Sequence, residues 1–246
     1  MSERFAPPVF VLVHSSSGGP ATWEAVADEL RSRGHAVEVP SMLGFADGEP
    51  PYARAYLNRA AGALASLRVG GTALLVAHSN AGLFIPAIAR SLAPRECALL
   101  FADESIPPVE GGDVPLVPPV FLEELRAMAF DGILPPWTEW WPDDATAGLY
   151  PDPATRRRVA AQEPRLPLSF YEESIEVPAG WARQRCAYLR LSEGYESEAA
   201  TAAELGWPTL RLNGEHLHMV VDPVAVAEAL DNLARTLKST IPPRQA

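Results

Sequence analysis

The chain has 246 residues, a length that suits a single domain over residues 1–246, with room for an insertion. Its formal net charge is −11, which makes nucleic acid a poor partner because an acidic surface repels the phosphate backbone. No apolar run reaches the roughly 18 residues of a membrane-spanning helix. The first residues also lack the apolar stretch of a signal peptide. We therefore expect no membrane association and a cytoplasmic location.

Two cysteines, Cys97 and Cys186, lie in apolar runs that resemble strands. Such positions favour buried, reduced thiols. The cysteines and histidines do not have the spacing of a metal site, so no metal is expected.

Strands and helices are predicted to alternate over the first 103 residues. The run 9–14 is continuously apolar, as is typical of a strand buried on both faces. Pro86 lies inside a predicted helix, so a kink or an early break is expected there. The predicted elements after the first strand are a helix at 21–33, a strand at 36–39, a helix at 52–68, a strand at 72–77, a helix at 80–92 and a strand at 97–102.

The composition changes over residues 105–182. This segment holds 13 of the 25 prolines and four of the six tryptophans. Prolines at this density break long helices and strands, so we predict an insertion of short helices and loops. Alternation then resumes with a strand at 186–191, a helix at 196–205, a strand at 207–212 and a helix at 223–238. The pattern predicts an α/β fold with a mostly parallel central sheet and helices on both faces.

The segment Ala77-His78-Ser79-Asn80-Ala81-Gly82 connects a predicted strand to a predicted helix. A nucleophilic serine needs such a sharp turn, because the turn raises its hydroxyl clear of the sheet. The small residues around Ser79 allow the strand and the helix to approach closely. A serine that only caps the helix is the alternative.

Two histidines, His216 and His218, lie between the last predicted strand and the last predicted helix. A histidine on this loop can reach over the edge of the sheet to a serine that follows a central strand. Its neutral imidazole can take the hydroxyl proton and later return it to the leaving group. Either histidine is a candidate general base.

These motifs resemble the α/β-hydrolase superfamily across almost the whole chain. In that superfamily the catalytic histidine commonly lies seven residues before a proline that begins the final helix. His216 has this spacing to Pro223, and His218 does not. The resemblance therefore implies Ser79 as the nucleophile and His216 as the base.

The same resemblance implies an oxyanion hole. The superfamily carries a His-Gly-x motif after its first central strand, and here this motif is His14-Ser15-Ser16. Carried over, the two backbone N–H donors are those of Ser16 and Asn80. Ser15 replaces the usual glycine.

Two carboxylates are candidates for the acid that orients His216. Asp103 ends a predicted strand, at the position used by a branch that resembles haloalkane dehalogenases. Glu193 follows the strand at 186–191, the commonest position in the superfamily. We favour Asp103 and keep Glu193 as the alternative. Glu104 should point the opposite way from Asp103 if the strand continues through it.

The insertion lies where the superfamily has its cap. Trp137 and Trp141 are candidates for lining an apolar substrate pocket over Ser79, or they form the core of the cap itself. The resemblance implies a serine hydrolase, and we expect it to act on an uncharged, apolar ester, thioester or lactone through an acyl-enzyme, without a cofactor. The alternatives are a lyase, cyclase or acyltransferase with the same site, and a non-catalytic small-molecule binding protein.

Overall fold

A computed structural model describes residues 8–65, 72–92, 96–142 and 145–239. Six parallel strands form the central sheet, in the order β2-β1-β3-β4-β7-β8, and β5 and β6 form a separate antiparallel pair. The strands are β1 Val9–Val13, β2 Ala36–Glu38, β3 Ala73–His78, β4 Cys97–Ala102, β5 Gly112–Pro115, β6 Ser174–Val177, β7 Arg185–Ser192 and β8 Thr209–Gly214. The predicted fold class is confirmed.

Nine α-helices accompany these strands within the described residues. They are α1 Glu24–Ser32, α2 Tyr52–Ala65, α3 Ile85–Ser91, α4 Pro119–Met128, α5 Pro153–Ala160, α6 Leu168–Tyr171, α7 Glu196–Glu204, α8 His218–Val221 and α9 Pro223–Ser239. The helix predicted at 52–68 is therefore described as far as Ala65, and residues 66–68 lie outside the described part of the chain.

Both faces of the sheet are covered because side chains alternate along each strand. In β1, the residues Val9, Val11 and Val13 pack on the face covered by α2, α3 and α7. Phe10 and Leu12 pack on the opposite face, which α1 and α9 cover. A strand buried on both faces must be continuously apolar, which explains the sequence of β1.

The helix predicted at 80–92 is divided in two. A 3-10 helix spans Ser79–Leu83, and α3 begins only at Ile85, with Pro86 in its first turn. Proline is tolerated there because the first turn of a helix does not use its backbone N–H groups. The predicted early break is found at Phe84, two residues before Pro86, and Pro86 itself lies within α3.

The chain between β4 and β7 includes residues 105–182, which we call the insert. It contains α4, α5 and α6, as well as the β5–β6 pair, which the sequence did not predict. Glycine at one end of β5 and proline at the other weaken its strand signal, and the pairing partner lies about 60 residues further along the chain. Glu173 of the insert accepts hydrogen bonds from the backbone N–H groups of Tyr52 and Ala53, both 2.7 Å long, which fixes the insert to the start of α2.

Cys97 and Cys186 are buried, and within the described residues no disulfide joins them. Burial raises the pKa of the Cys186 thiol to about 12, so this thiol is unreactive at neutral pH. None of the described helices combines the length and apolar character needed to cross a membrane.

Candidate active site

Ser79 occupies a strained turn at the end of β3. Its φ is +57°, in the left-handed region that costs a residue with a side chain about 1–2 kcal/mol. The small residues that follow it are needed, because there is no room for larger side chains. Ala81 is buried, and a Cβ atom built on Gly82 would lie 1.2 Å from Oε1 of Glu104. Only glycine fits at residue 82 with Glu104 in this position.

His216 lies on the loop after β8 and is held on several sides. Its Nδ1 is 3.3 Å from Oδ2 of Asp103. Its ring stacks on Tyr195, with centroids 5.2 Å apart and an angle of 11° between the planes. His78 donates a hydrogen bond from Nε2 to the backbone carbonyl of His216, at 2.8 Å. The loop and the ring are therefore fixed by different neighbours.

Asp103 is completely buried and has a φ of +49°, so the chain turns sharply where β4 ends. Its carboxylate accepts hydrogen bonds from the backbone N–H groups of Leu191 and Ser192 and from Oγ of Ser192. These donors satisfy a buried carboxylate without a neighbouring cation. The structure brings Asp103 to His216, whereas Glu193 is exposed on the 3-10 helix that follows β7.

The hydrogen bonds assign the proton on His216. A carboxylate can only accept, so the shared proton lies on Nδ1, and in the neutral imidazole Nε2 is then the nitrogen that carries the lone pair. The neighbouring His78 is buried, and its burial holds its pKa well below the usual range. His78 is thus a neutral donor that positions the His216 loop.

The serines after β1 lie against Asn80. The backbone N–H of Ser16 donates to Oδ1 of Asn80 at 3.0 Å, so this amide is already occupied. The assignment of Ser16 as an oxyanion donor stays a prediction, and in this conformation the Asn80 side chain occupies the Ser16 N–H. Among the described non-glycine residues, positive φ occurs only at Ser79, Asp103 and Asp131, so Ser15 needs none of the freedom of glycine.

A cavity of about 380 Å³ lies over the edge of the sheet. We call Ser17, Ser79, Asn80, Tyr195 and His216 its sheet-edge wall. The insert wall comprises Val117, Phe121, Trp137, Trp140, Trp141, Ala145, Thr146, Leu149 and Tyr171. The structure thus brings both predicted tryptophans to the same cavity as Ser79 and His216. Among the described lining residues, none is an acid, a lysine or an arginine.

His218 is not part of this cavity. Its ring packs against Gly214, where an added Cβ atom would lie 2.3 Å from the ring. Of the two loop histidines, the structure therefore directs only His216 to the cavity.

The sequence profile of the alpha/beta hydrolase family matches residues 10–229. The chain belongs to the alpha/beta hydrolase family. The resemblance inferred from the motifs is confirmed, and no functionally curated protein matches the sequence.

Solved structures of hydrolase-family proteins share this fold. An extracellular alpha/beta-hydrolase from a Paenibacillus species has a TM-score of 0.71 at 20% identity, over 93% of this chain and 100% of that chain. Tomato methylketone synthase I complexed with 2-tridecanone has a TM-score of 0.69 at 20% identity, over 95% and 100%. A serine-to-alanine variant of the pyrethroid hydrolase PytH has a TM-score of 0.66 at 16% identity, over 95% and 100%. Identities this low show the shared fold alone.

Several residues of this hydrolase-family site were missed from the sequence. His78 and Tyr195 contact His216, and Oη of Tyr171 lies 2.7 Å from Oγ of Ser17. Tyr195 could have been identified from the sequence, since it lies two residues after the candidate acid Glu193. Tyr171 gave no signal, because the insert has no periodic pattern that orients its side chains.

A smaller cavity of about 30 Å³ adjoins Ser79 and His78. Glu163 of the insert lines it, and its carboxylate accepts hydrogen bonds from the backbone N–H and Oγ1 of Thr138. Partial burial raises the pKa of Glu163. No group of three or more His, Cys, Asp or Glu side chains in the described ranges has the arrangement of a metal site.

Proposed function

We propose that this protein is a serine hydrolase that cleaves a small, uncharged ester, thioester or lactone. One observation carries the proposal. His216 is bonded through Nδ1 to the buried Asp103, and its ring shares a cavity with a serine in a strained turn. These residues supply the three groups that acyl transfer requires, which are a nucleophile, its base and the group that orients the base.

In the proposed reaction, Oγ of Ser79 attacks the acyl carbon while Nε2 of His216 takes the hydroxyl proton. Asp103 stabilises the resulting imidazolium and keeps Nδ1 protonated. The tetrahedral intermediate collapses, and the leaving alcohol or thiol takes the proton back from Nε2. Water, deprotonated by His216, then attacks the acyl-enzyme and releases the acid and Ser79. The backbone N–H groups of Ser16 and Asn80 are the proposed oxyanion donors.

The cavity favours an apolar substrate. Its described lining is mostly aromatic and carries no acid, lysine or arginine, so an ionised group would lose hydration there without a partner. PytH is a pyrethroid hydrolase, and tomato methylketone synthase I was solved with 2-tridecanone, which fits an apolar ligand in this fold. Aromatic rings offer flat apolar surface for an acyl or alcohol group of the same kind.

Labelling with a fluorophosphonate probe tests the nucleophile. We expect wild type to be labelled, and Ser79→Ala and His216→Ala to lose the label while keeping their thermal stability. The Ser79-containing peptide should carry the phosphonyl group. A folded wild type that resists the probe would remove the basis for acyl transfer at this site. A screen of neutral esters, thioesters and lactones then defines the substrate.

A lyase is the second candidate, and the occupied Ser16 amide favours it. A reaction that uses His216 only to move a proton, without acyl transfer to Ser79, needs no open oxyanion hole. Turnover that survives in Ser79→Ala and disappears in His216→Ala would support the lyase over the hydrolase.

A further inference from the structure

The side chain of Asn80 is bound on both sides by the serine loop that follows β1. Its Oδ1 accepts hydrogen bonds from the backbone N–H of Ser16 and from Oγ of Ser15, each 3.0 Å long. Its Nδ2 donates to Oγ of Ser16 at 2.6 Å. Asn80 directly follows Ser79 in the chain, so these contacts lie beside the nucleophile.

The network assigns the orientation of the amide group. A backbone N–H can only donate, so the Asn80 atom that faces Ser16 N must be the oxygen. An amide oxygen is a neutral carbonyl oxygen, as is the carbonyl oxygen of an ester. Oδ1 therefore accepts the Ser16 N–H hydrogen bond as an ester carbonyl oxygen would. This N–H is the donor that the proposed reaction needs for the oxyanion.

We infer that Asn80 is an internal gate of the oxyanion hole, which its Oδ1 fills until a substrate oxyanion displaces it. This inference rests on the proposed acyl transfer at Ser79. Hydrogen bonds to an ionised acceptor are roughly twice as strong as those to a neutral one. The Ser16 amide thus gains little by exchanging Asn80 for a neutral ester carbonyl, and it gains more by exchanging Asn80 for an oxyanion.

This difference makes Asn80 a specificity-determining residue. Binding of a neutral carbonyl in the hole is suppressed, while stabilisation of the charged intermediate is retained, so the donor acts mainly in the transition state. Substrates whose acyl carbon readily becomes tetrahedral, such as activated esters and thioesters, should be favoured over unactivated alkyl esters.

Replacing Asn80 by alanine opens the gate. Because one net hydrogen bond is worth about 1 kcal/mol, we expect Asn80→Ala to react with a fluorophosphonate about fivefold faster and to raise kcat/KM for an unactivated ester by a similar factor, with a lower KM. The isosteric variant Asn80→Asp keeps the oxygen and adds a negative charge, so it should react at least about tenfold more slowly. An Asn80→Ala rate equal to or below wild type would overturn the gate, since it would mean that the side chain assists the reaction.

The structure of the wild-type phosphonyl adduct gives a test that needs no variant. We expect a phosphonyl oxygen within hydrogen-bond distance of Ser16 N and the Asn80 side chain rotated away from it. An adduct with Asn80 Oδ1 still on Ser16 N would overturn the gate and leave the nucleophile intact. Failure of wild type to form any adduct would instead count against the proposed hydrolase.

Discussion

Ser79, Asp103 and His216 each lie just beyond the end of a sheet strand, whereas the aromatic residues of the insert wall lie in short helices and loops. In the sheet-edge wall, a hydrogen bond to Asp103 fixes His216 and a backbone turn with positive φ fixes Ser79. The insert wall is held by ring packing, as where Phe121 stacks on Trp141 at 6.4 Å and 11°. Chemistry and substrate contact are thus supported by different interactions, and substitutions should separate them.

Asp103→Asn should have the largest effect, a loss of about 10³-fold or more in kcat, because the amide no longer holds His216 in the tautomer with a free Nε2. Glu193→Gln is the matched control. It alters the exposed alternative acid and should leave kcat within about twofold of wild type. Steady-state kinetics on one ester compares them, and equal losses in both variants would contradict the assignment of Asp103.

Gly82→Ala should lower the free energy of unfolding by about 1–3 kcal/mol, because the new methyl group would overlap the Glu104 carboxyl group. Gly62→Ala in α2 is the control. Among the described residues, no atom outside the neighbouring helix backbone lies within 4 Å of its Cβ position, and helix propensity predicts a gain of up to about 1 kcal/mol. Urea denaturation measures both free energies of unfolding. A Gly82→Ala variant as stable as wild type would show that Glu104 moves freely.

Glu104 should make stability depend on pH. Burial raises its pKa well above the ordinary value of 4.5, so the folded state holds a proton that the unfolded state releases. Stability should therefore fall as pH rises above about 4.5 and through the folded pKa, and Glu104→Gln should lose less. Urea denaturation at pH 5 and pH 9 checks this. A difference between wild type and variant that is the same at both values would refute the prediction.

Trp141→Ala should have the smallest effect and should act on the insert wall alone. Trp141 lines the cavity and stacks on Phe121, and it is 39% exposed. Loss of one aromatic contact of about 1 kcal/mol predicts a KM about fivefold higher, with kcat nearly unchanged. Phe130→Ala, at an insert residue that is 76% exposed, should change neither constant. A fall in kcat alone for Trp141→Ala would mean that the two walls are not independent.

The sheet edge was largely predictable because parallel strands fix where their carboxyl ends meet. Buried apolar runs marked β1, β3 and β4, and the residues after them marked the candidate site. The sequence favoured Asp103 over Glu193 but could not exclude Glu193. The hydrogen bonds that hold Asp103 come from the backbone N–H groups of Leu191 and Ser192, which only the folded sheet brings next to it.

The insert and the hydrogen bonds of Asn80 were not predictable, because they depend on contacts between residues far apart in sequence. The β5–β6 pair and the contact of Tyr171 with Ser17 join residues far apart in sequence. Ser16 was expected to donate its backbone N–H to the oxyanion, and only the folded chain brings the Asn80 side chain to this N–H. Local sequence patterns do not indicate such long-range contacts.

The most direct test of the proposed hydrolase is a rapid-quench reaction with a p-nitrophenyl ester, followed by mass spectrometry of the protein and its peptides. We predict a burst of about one equivalent of p-nitrophenol and the mass of the acyl group on the peptide that contains Ser79. Hydrolysis without any acyl group on that peptide, continuing at the same rate in Ser79→Ala, would contradict the account.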